Sequence, residues 1–204
     1  MYHRSVDIDQ VKYLYLTPQL SALEIGNKLG KTVWQVIRFM KKNNIPRRSN
    51  NATRRLQFLR SPLSYSKPNK VSYKQKFLQL AGLMLYWAEG SKANKNTVDF
   101  ANSDKDMAKL FLKMLKEIYN VNTKRIRLYL YCYANQNPDS LIQFWSKWLS
   151  VPENQFTKPY VRQDFDERKS QKMLWGLVHI RYSDTRLLSQ IKSDIGIITS
   201  ELSK

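Results

Sequence analysis

Phe77 to Lys92, FLQLAGLMLYWAEGSK, is the longest apolar run of the chain, and it holds no proline and a single glycine before Glu89-Gly90 ends it. A run of that length without a breaker reads as a helix, and the rest of the chain has to be arranged around it. At helical spacing Phe77, Leu80, Met84 and Trp87 form a bulky stripe that is expected to bury under a sheet. A neighbouring stripe carries Leu78, Gly82, Leu85 and Glu89, with Ala81 and Ala88 beside it. Small residues on that side let a second helix come close. Gly90 stands where a glycine just past a helix end is expected.

Glu89 is the odd residue of the run. A carboxylate in the last turn faces the negative end of the helix dipole, where it costs from a few tenths to about 1 kcal/mol. Such a group needs a cation, and Lys92 and a divalent metal are the two candidates.

Charge narrows the class of partner. The 204 residues carry a net charge of +19, and residues 1–76 hold 16 Lys and Arg against 3 Asp and Glu. Clustered cations of this kind neutralise phosphates and release counterions, which points to nucleic acid, with an anionic membrane surface as the competitor. No stretch reaches the roughly 18 apolar residues of a membrane span, and the N-terminus has no secretory core. Cys132 is the sole cysteine, so a disulfide framework or thiolate zinc site is excluded, and two histidines cannot build a His-rich metal cluster. A reducing, cytoplasmic setting is expected.

The N-terminal 48 residues are all helical in pattern. Asp7–Leu16 reads as a first helix with Ile8, Val11, Leu14 and Tyr15 on one side. Ser21-Ala-Leu-Glu24 is a capping box for a second helix ending at Gly30, and Thr32-Val-Trp-Gln35 is another for a third running to about Asn44. Leu23, Ile25, Leu29, Val33, Val36, Ile37 and Met40 are the expected core. A helix–glycine turn–helix pair with a third helix in front is the layout of a helix-turn-helix, whose second helix enters the major groove N-terminus first. That reading presents Lys31, Trp34, Gln35 and Arg38 to DNA, with Lys41 and Lys42 nearer the backbone. The stretch resembles resolvase-like DNA-binding domains, including Arg47 and Arg48 in its closing Ile45-Pro46-Arg47-Arg48. A small protein-interaction module with a solvated basic face is the alternative.

Residues 49–74, rich in Ser, Asn, Pro and Lys/Arg, are expected to be a basic linker with a helical turn near Arg54–Leu59. Arg54, Arg55, Arg60, Lys67 and Lys70 suit it either to a phosphate backbone or simply to solvent.

Residues 75–204 follow the order helix, strand, helix, strand, helix, strand, strand, helix, an α+β domain with an antiparallel sheet covered by helices on one face. Val98 and Phe100 alternate with Asp99 in the first strand, and Ser103 caps the helix after it, with Met107 and Leu110 on its apolar side. The next strand alternates strictly from Arg125. Arg125, Arg127, Tyr129, Tyr131 and Tyr133 take one face, and Ile126, Leu128, Leu130 and Cys132 the other. A face made only of Arg and Tyr fits a sheet lying on nucleic acid, where Arg reads guanine edges or phosphates; an ordinary solvated face is the alternative. Pro138–Leu149 reads as a helix burying Leu141, Phe144, Trp145 and Trp148. Phe156–Gln163 reads as a strand with Lys158, Tyr160 and Arg162 on one side. Met173–Tyr182 is another strand, with Leu174, Val178 and Ile180 alternating against Trp175, His179 and Arg181, and Leu187, Leu188, Ile191 and Ile195 mark the last helix.

Leu80-Ala81-Gly82-Leu83 and Ala88-Glu89-Gly90 resemble the two ends of the motif that names the LAGLIDADG homing endonucleases, and the downstream order of elements over residues 75–197 resembles that family too. The sequence has two more residues between Leu80 and Gly90 than the motif, and Glu in place of its final Asp. The resemblance implies a saddle-shaped sheet that reads duplex DNA in the major groove and motif helices that pack across a two-fold axis. It also implies Mg²⁺ bound by the acid that ends each motif helix. With one motif per chain it implies a homodimer. Glu89 takes the metal-ligand role, and Leu78, Gly82, Leu85 and Ala88 line the dimer seam. Asp99 is a second candidate metal ligand, against a plain surface strand Asp, and His179 and Arg181 stand where basic groups flank the scissile phosphate. Lys92 and Lys95, just past the motif, join the DNA-contacting set. The expected activity is site-specific, metal-dependent cleavage of double-stranded DNA, with no small-molecule substrate. Non-cleaving regulators on a degenerate LAGLIDADG scaffold are the alternative, and a nucleoid or RNA-binding protein the third.

Overall fold

The computed structural model describes residues 7–163 and 173–203. They form α-helices and a four-stranded mixed sheet, an α+β protein, in two compact units that divide between Pro62 and Leu63.

The first unit is all helix: α1 Ile8–Leu16, α2 Ala22–Leu29, α3 Val33–Lys42 and α4 Asn50–Arg60. Both expected capping boxes form, Ser21 with Glu24 and Thr32 with Gln35. Gly30 ends α2 at φ 64°, the left-handed conformation that a side chain would resist. The core is Val11, Leu14, Tyr15, Ile25, Val36, Met40 and Ile45. Leu23, expected inside, is exposed, because Ile25 supplies the inward position of this short helix.

α4 corrects the picture of a linker. Ser49 caps it through its hydroxyl, and Asn50–Arg60 runs a full helix where only a turn near Arg54 was expected. Its far end is clasped to α2, with Arg60 Nη2 3.0 Å from Glu24 and Gln57 Nε2 3.4 Å from Ser21 Oγ. Burial alone would raise the Glu24 pKa, but the Ser21 N–H and O–H, Arg60 and Gln57 all donate to it and bring it from 4.5 down to about 2. A depressed carboxyl stabilises the folded state fully above 4.5 and loses that contribution as pH falls toward about 2. Acid titration followed by NMR of the Ala52–Leu59 amides is expected to show α4 loosening across that window, and Glu24→Gln to flatten the transition.

The second unit begins with the rest of the expected linker. Ser64 Oγ donates to Asp184 at 2.6 Å, and Lys67 Nζ pairs with buried Asp194 at 2.9 Å, beside the Tyr119 hydroxyl at 2.6 Å. Lys67 is therefore spent on the protein's interior rather than left for phosphate.

After that tether come α5 Tyr73–Glu89, β1 Val98–Asn102, α6 Lys105–Glu117, β2 Arg127–Tyr133 and α7 Pro138–Leu149, then β3 Tyr160–Arg162, β4 Leu177–Tyr182 and α8 Thr185–Leu202. The strand order is β1-β4-β2-β3, with β4 antiparallel to both β1 and β2 and β3 parallel to β2. The expected all-antiparallel sheet is thus mixed, since α7 carries the chain back along the sheet so that β3 re-enters in the direction of β2. Strand alternation puts Phe100, Leu128, Leu130, Val178 and Ile180 into one core with Leu83, Phe111, Leu115, Trp145 and Ile191 from the helices, so the helices lie on one face.

Several elements depart from expectation for local reasons. Arg125 sits in a 3-10 turn before β2 instead of on it. Pro159 cannot donate to a ladder, and the strand expected from Phe156 is cut to Tyr160–Arg162, which leaves Lys158 off it. Gly176 at φ 66° resets the register ahead of β4, so Leu174 is exposed and Trp175 stacks on Phe144 at 3.9 Å. Phe144 and Trp148, expected buried, are half-buried on the flank of α7. Asp104, not Ser103, caps α6 through the N–H groups of Asp106 and Met107.

The largest correction concerns α5. Its buried residues are Gly82, Leu83 and Tyr86, while Phe77, Leu80 and Trp87 are exposed and Met84 half-buried. The helix is turned so that its small residue, not its bulky stripe, meets the core. A Cβ on Gly82 would stand 2.6 Å from Met114 Sδ, so α5 and α6 touch there. Gly90 ends the helix in extended conformation, φ −69°, rather than left-handed. Its lack of a side chain is needed because a Cβ would meet Tyr86 O at 2.4 Å.

Candidate functional site

The sheet face opposite the helices carries the candidate site. β1, β4 and β2 align Asp99, Arg181 and Arg127 in one cross-strand row, and Ala101, His179 and Tyr129 in the next. The buried side chains of the helices join the other face, that of Phe100, Leu128, Leu130, Val178 and Ile180.

Asp99, His179 and Arg181, expected at the site for separate reasons, converge. Asp99 is buried, its Oδ1 2.9 Å from His179 Nδ1, while its Oδ2 accepts from Arg181 Nε at 2.9 Å and from Asn94 Nδ2 at 3.2 Å. Burial pushes its carboxyl up, but the His179 hydrogen bond and charge together with Arg181 hold it below the ordinary carboxylate value. This is the reverse of a metal ligand: both oxygens are occupied and two basic groups stand beside them. A surface Asp is not what is found either. Asn94, in the loop between α5 and β1, was not among the expected site residues, and nothing in its local pattern marks it.

Aromatic rings brace the basic groups. The Arg181 guanidinium lies 4.0 Å over the Tyr129 ring, and Tyr131 packs against His179 at 4.7 Å and Tyr160 at 5.3 Å between centroids. Arg127 is exposed, with Nη1 on the carbonyls of Lys124 and Ile126 at 2.8 Å. Tyr133 is buried on its strand, whereas Tyr160 and Arg162 are exposed on the edge strand β3.

Two of the expected contacts are used elsewhere. Arg125 donates to Ser183 O at 2.7 Å and sits 3.8 Å from Asp184, off the sheet face. Lys158 lines a separate cleft with Asp139 and Glu153.

Glu89 closes α5 beside this sheet. Gly90 bridges Phe100 on β1, and the Ser91 N–H donates to Asp99 O at 2.9 Å, which ties the helix end to the strand that carries Asp99. The Glu89 carboxylate is exposed and, among the described residues, has no ion-pair partner. Lys92, its expected partner, instead caps the helix through the Trp87 and Tyr86 carbonyls. Lys95 is exposed. Among the described residues no three of His, Cys, Asp or Glu converge as a metal-ligand group. Glu89 is thus a single exposed carboxylate with room for a cation, whereas both Asp99 oxygens are taken.

Of the expected seam, Gly82 is buried against α6, while Leu78 and Leu85 are half-buried and Ala88 exposed. Ala81, Met84, Leu85 and Ala88 face Met107 and Leu110 of α6 across an open apolar groove. Of these two expected core residues Met107 is exposed and Leu110 half-buried.

In the first unit Trp34 is exposed, as are Arg38, Lys41, Lys42 and Arg47, and Lys31 is half-buried. Gln35 uses its Oε1 to accept the Thr32 N–H at 2.8 Å, leaving only its amide nitrogen for a ligand. Arg48 is structural: it stacks 3.9 Å over Tyr15 and donates to Leu20 O at 2.5 Å. Among the described residues no helix is long and apolar enough to cross a membrane. No family model, curated protein or solved structure matches this chain.

Proposed function

We propose that the protein is a site-specific double-stranded DNA endonuclease that works as a homodimer inside the cell, with a helix-turn-helix in its first unit and a LAGLIDADG-like saddle in its second. The observation that carries this reading is the open Arg127–Tyr129–Tyr131–His179–Arg181 face together with the exposed Glu89, which ends the helix tied to β1 through Gly90 and Ser91. Arg181, locked by Asp99, is a pre-set donor for a backbone phosphate, and Arg127 extends the same cationic row. In the first unit Trp34, Arg38, Lys41 and Lys42 supply a second exposed basic face on one helix.

Mg²⁺ is the proposed cofactor, held by Glu89 from each of two copies. The chemistry a divalent ion supplies at such a place is water activation and neutralisation of the charge that develops on phosphate. The chain's own contribution is to grip the phosphate through Arg181 and Arg127, with Arg181 and His179 both fixed by Asp99.

One observation favours the second reading, a regulator that binds duplex DNA without cutting it: with Asp99 consumed by His179, Arg181 and Asn94, the expected metal ligands among the described residues come down to Glu89. Incubation with a library of duplex sites and Mg²⁺ separates the two. Double-strand cuts at a recurring sequence support the endonuclease, and selective binding with intact strands supports the regulator. Arg127→Ala is expected to weaken binding across all sequences and to lower the slope of log affinity against log salt by about one phosphate contact.

A further inference from the structure

The sheet face is not uniform along its strands. Arg127 and Arg181 share a row at one end, whereas the opposite end of β2 is aromatic, with Tyr131 paired to Tyr160 and Tyr133 to Arg162 across the parallel β2–β3 ladder. Duplex backbone contacts account for the cationic end. They do not account for a cleft at the aromatic end, of about 480 Å³ and lined by Tyr131, Tyr133, Tyr160, His179, Leu177 and Arg162 among others.

That cleft has the composition of a base-binding site. Its size falls in the range of small-ligand pockets, roughly 300–1,000 Å³. Tyr160 is 59% exposed, so its ring is available to a ligand, and it meets Tyr131 at 5.3 Å and a tilt of 55° instead of closing face to face on it. Tyr131 in turn touches the His179 ring at 4.7 Å. Asp99 occupies His179 Nδ1, which leaves Nε2 as the nitrogen that can hydrogen-bond a ligand's edge. The short edge strand adds to this. With Pro159 before it and three residues in the ladder, β3 holds Tyr160 at the rim of the sheet, not in its middle. Aromatic faces at the rim of a sheet, beside a cationic row, are how proteins hold unstacked bases, since every base has a π-face while a base stacked inside a duplex has none free.

We infer that the Tyr131–Tyr160–His179 cleft takes a single unpaired base of the bound DNA strand, so that the protein prefers a duplex with one nucleotide turned out of the stack. The inference rests on this sheet face being a DNA-binding surface, but it is independent of cleavage and of Glu89.

The test compares two duplexes that differ only by one extrahelical 2-aminopurine, without metal, by fluorescence anisotropy and 2-aminopurine emission. The bulged duplex is expected to bind roughly ten-fold tighter than the paired one, with its emission quenched on binding. Tyr160→Ala is expected to erase both the preference and the quenching, and Tyr160→Phe, which keeps the ring, to retain them. Tyr160 is exposed, so neither change threatens the fold; circular dichroism checks this. Equal affinity for the two duplexes overturns the inference while leaving the duplex reading in place. So does a Phe variant that fails as badly as Ala. Binding to neither duplex overturns the duplex reading itself, and this inference with it.

Discussion

Glu89→Gln is expected to lower the rate of strand cleavage by at least about 100-fold, because changes to residues that merely orient metal ligands cost 10–100-fold and this change removes the proposed ligand itself. Duplex affinity is expected to be undiminished or tighter, since the change takes a negative charge away from a phosphate-facing surface. The two readouts must be taken together. Cleavage assays with Mg²⁺ report the first, and anisotropy without metal the second. The amide keeps the shape of the side chain, and Glu89 is exposed with no ion-pair partner among the described residues, so the melting temperature is expected to stay where it was. Cleavage that survives the substitution would remove Glu89 from the chemistry. Asp99→Asn should behave differently: it removes the charge and puts an N–H donor where one of the two oxygens accepts from His179 or Arg181 in a buried site, so affinity and stability fall together, and Mg²⁺ in excess does not restore them.

Much of this arrangement is legible in the sequence where a signal is local and chemical. The two capping boxes, the glycine at Gly30, the alternation of β2 from Arg127 to Cys132 and the helix from Thr185 depend on short-range rules, and each is found. What local pattern cannot carry is the rotation of a helix about its own axis. α5 is apolar nearly all round, so its sequence offers several stripes of equal hydrophobicity, and the choice among them is made by Met114 filling the notch at Gly82. The strand direction of β3 is likewise a property of the α7 crossover and not of its own residues. The site follows the same division. His179 and Arg181 alternate visibly on one strand, but that Asp99 would spend both oxygens on them follows from the β1–β4 register, with Asp99 opposite Arg181. Asp99 looked like a metal ligand because an acid near the end of the motif helix invites that role; its actual neighbours are known only once the strands are paired.

The second large effect concerns the proposed dimer: Gly82 packs on Met114 of its own chain, which leaves a different stripe of α5 free for a partner. Tyr73, Phe77, Leu80, Met84 and Trp87 recur at spacings of four and three, the a/d rhythm of a helix that packs along another helix. Tyr73, Phe77, Leu80 and Trp87 are 77, 54, 37 and 55% exposed, a continuous apolar ridge on a strongly charged protein. If two copies pair through this ridge, Leu80 lies at its centre. Leu80→Glu then buries an unpaired charge twice per dimer, and the dimer dissociation constant is expected to rise by more than about 30-fold, a loss of 2 kcal/mol or more. Sedimentation equilibrium reads that shift, and cleavage is expected to fall with the dimer fraction, since one copy brings one Glu89. Gly82→Val is the discriminating control. Gly82 is packed inside its own chain against Met114, so the added methyls cost folding stability by about 1–3 kcal/mol and lower the melting temperature. Leu80→Glu weakens association with the monomer's own stability unchanged. The opposite pattern, with association lost in Gly82→Val and kept in Leu80→Glu, would place the seam on the small-residue side of the helix and require α5 to turn away from Met114 when two copies meet.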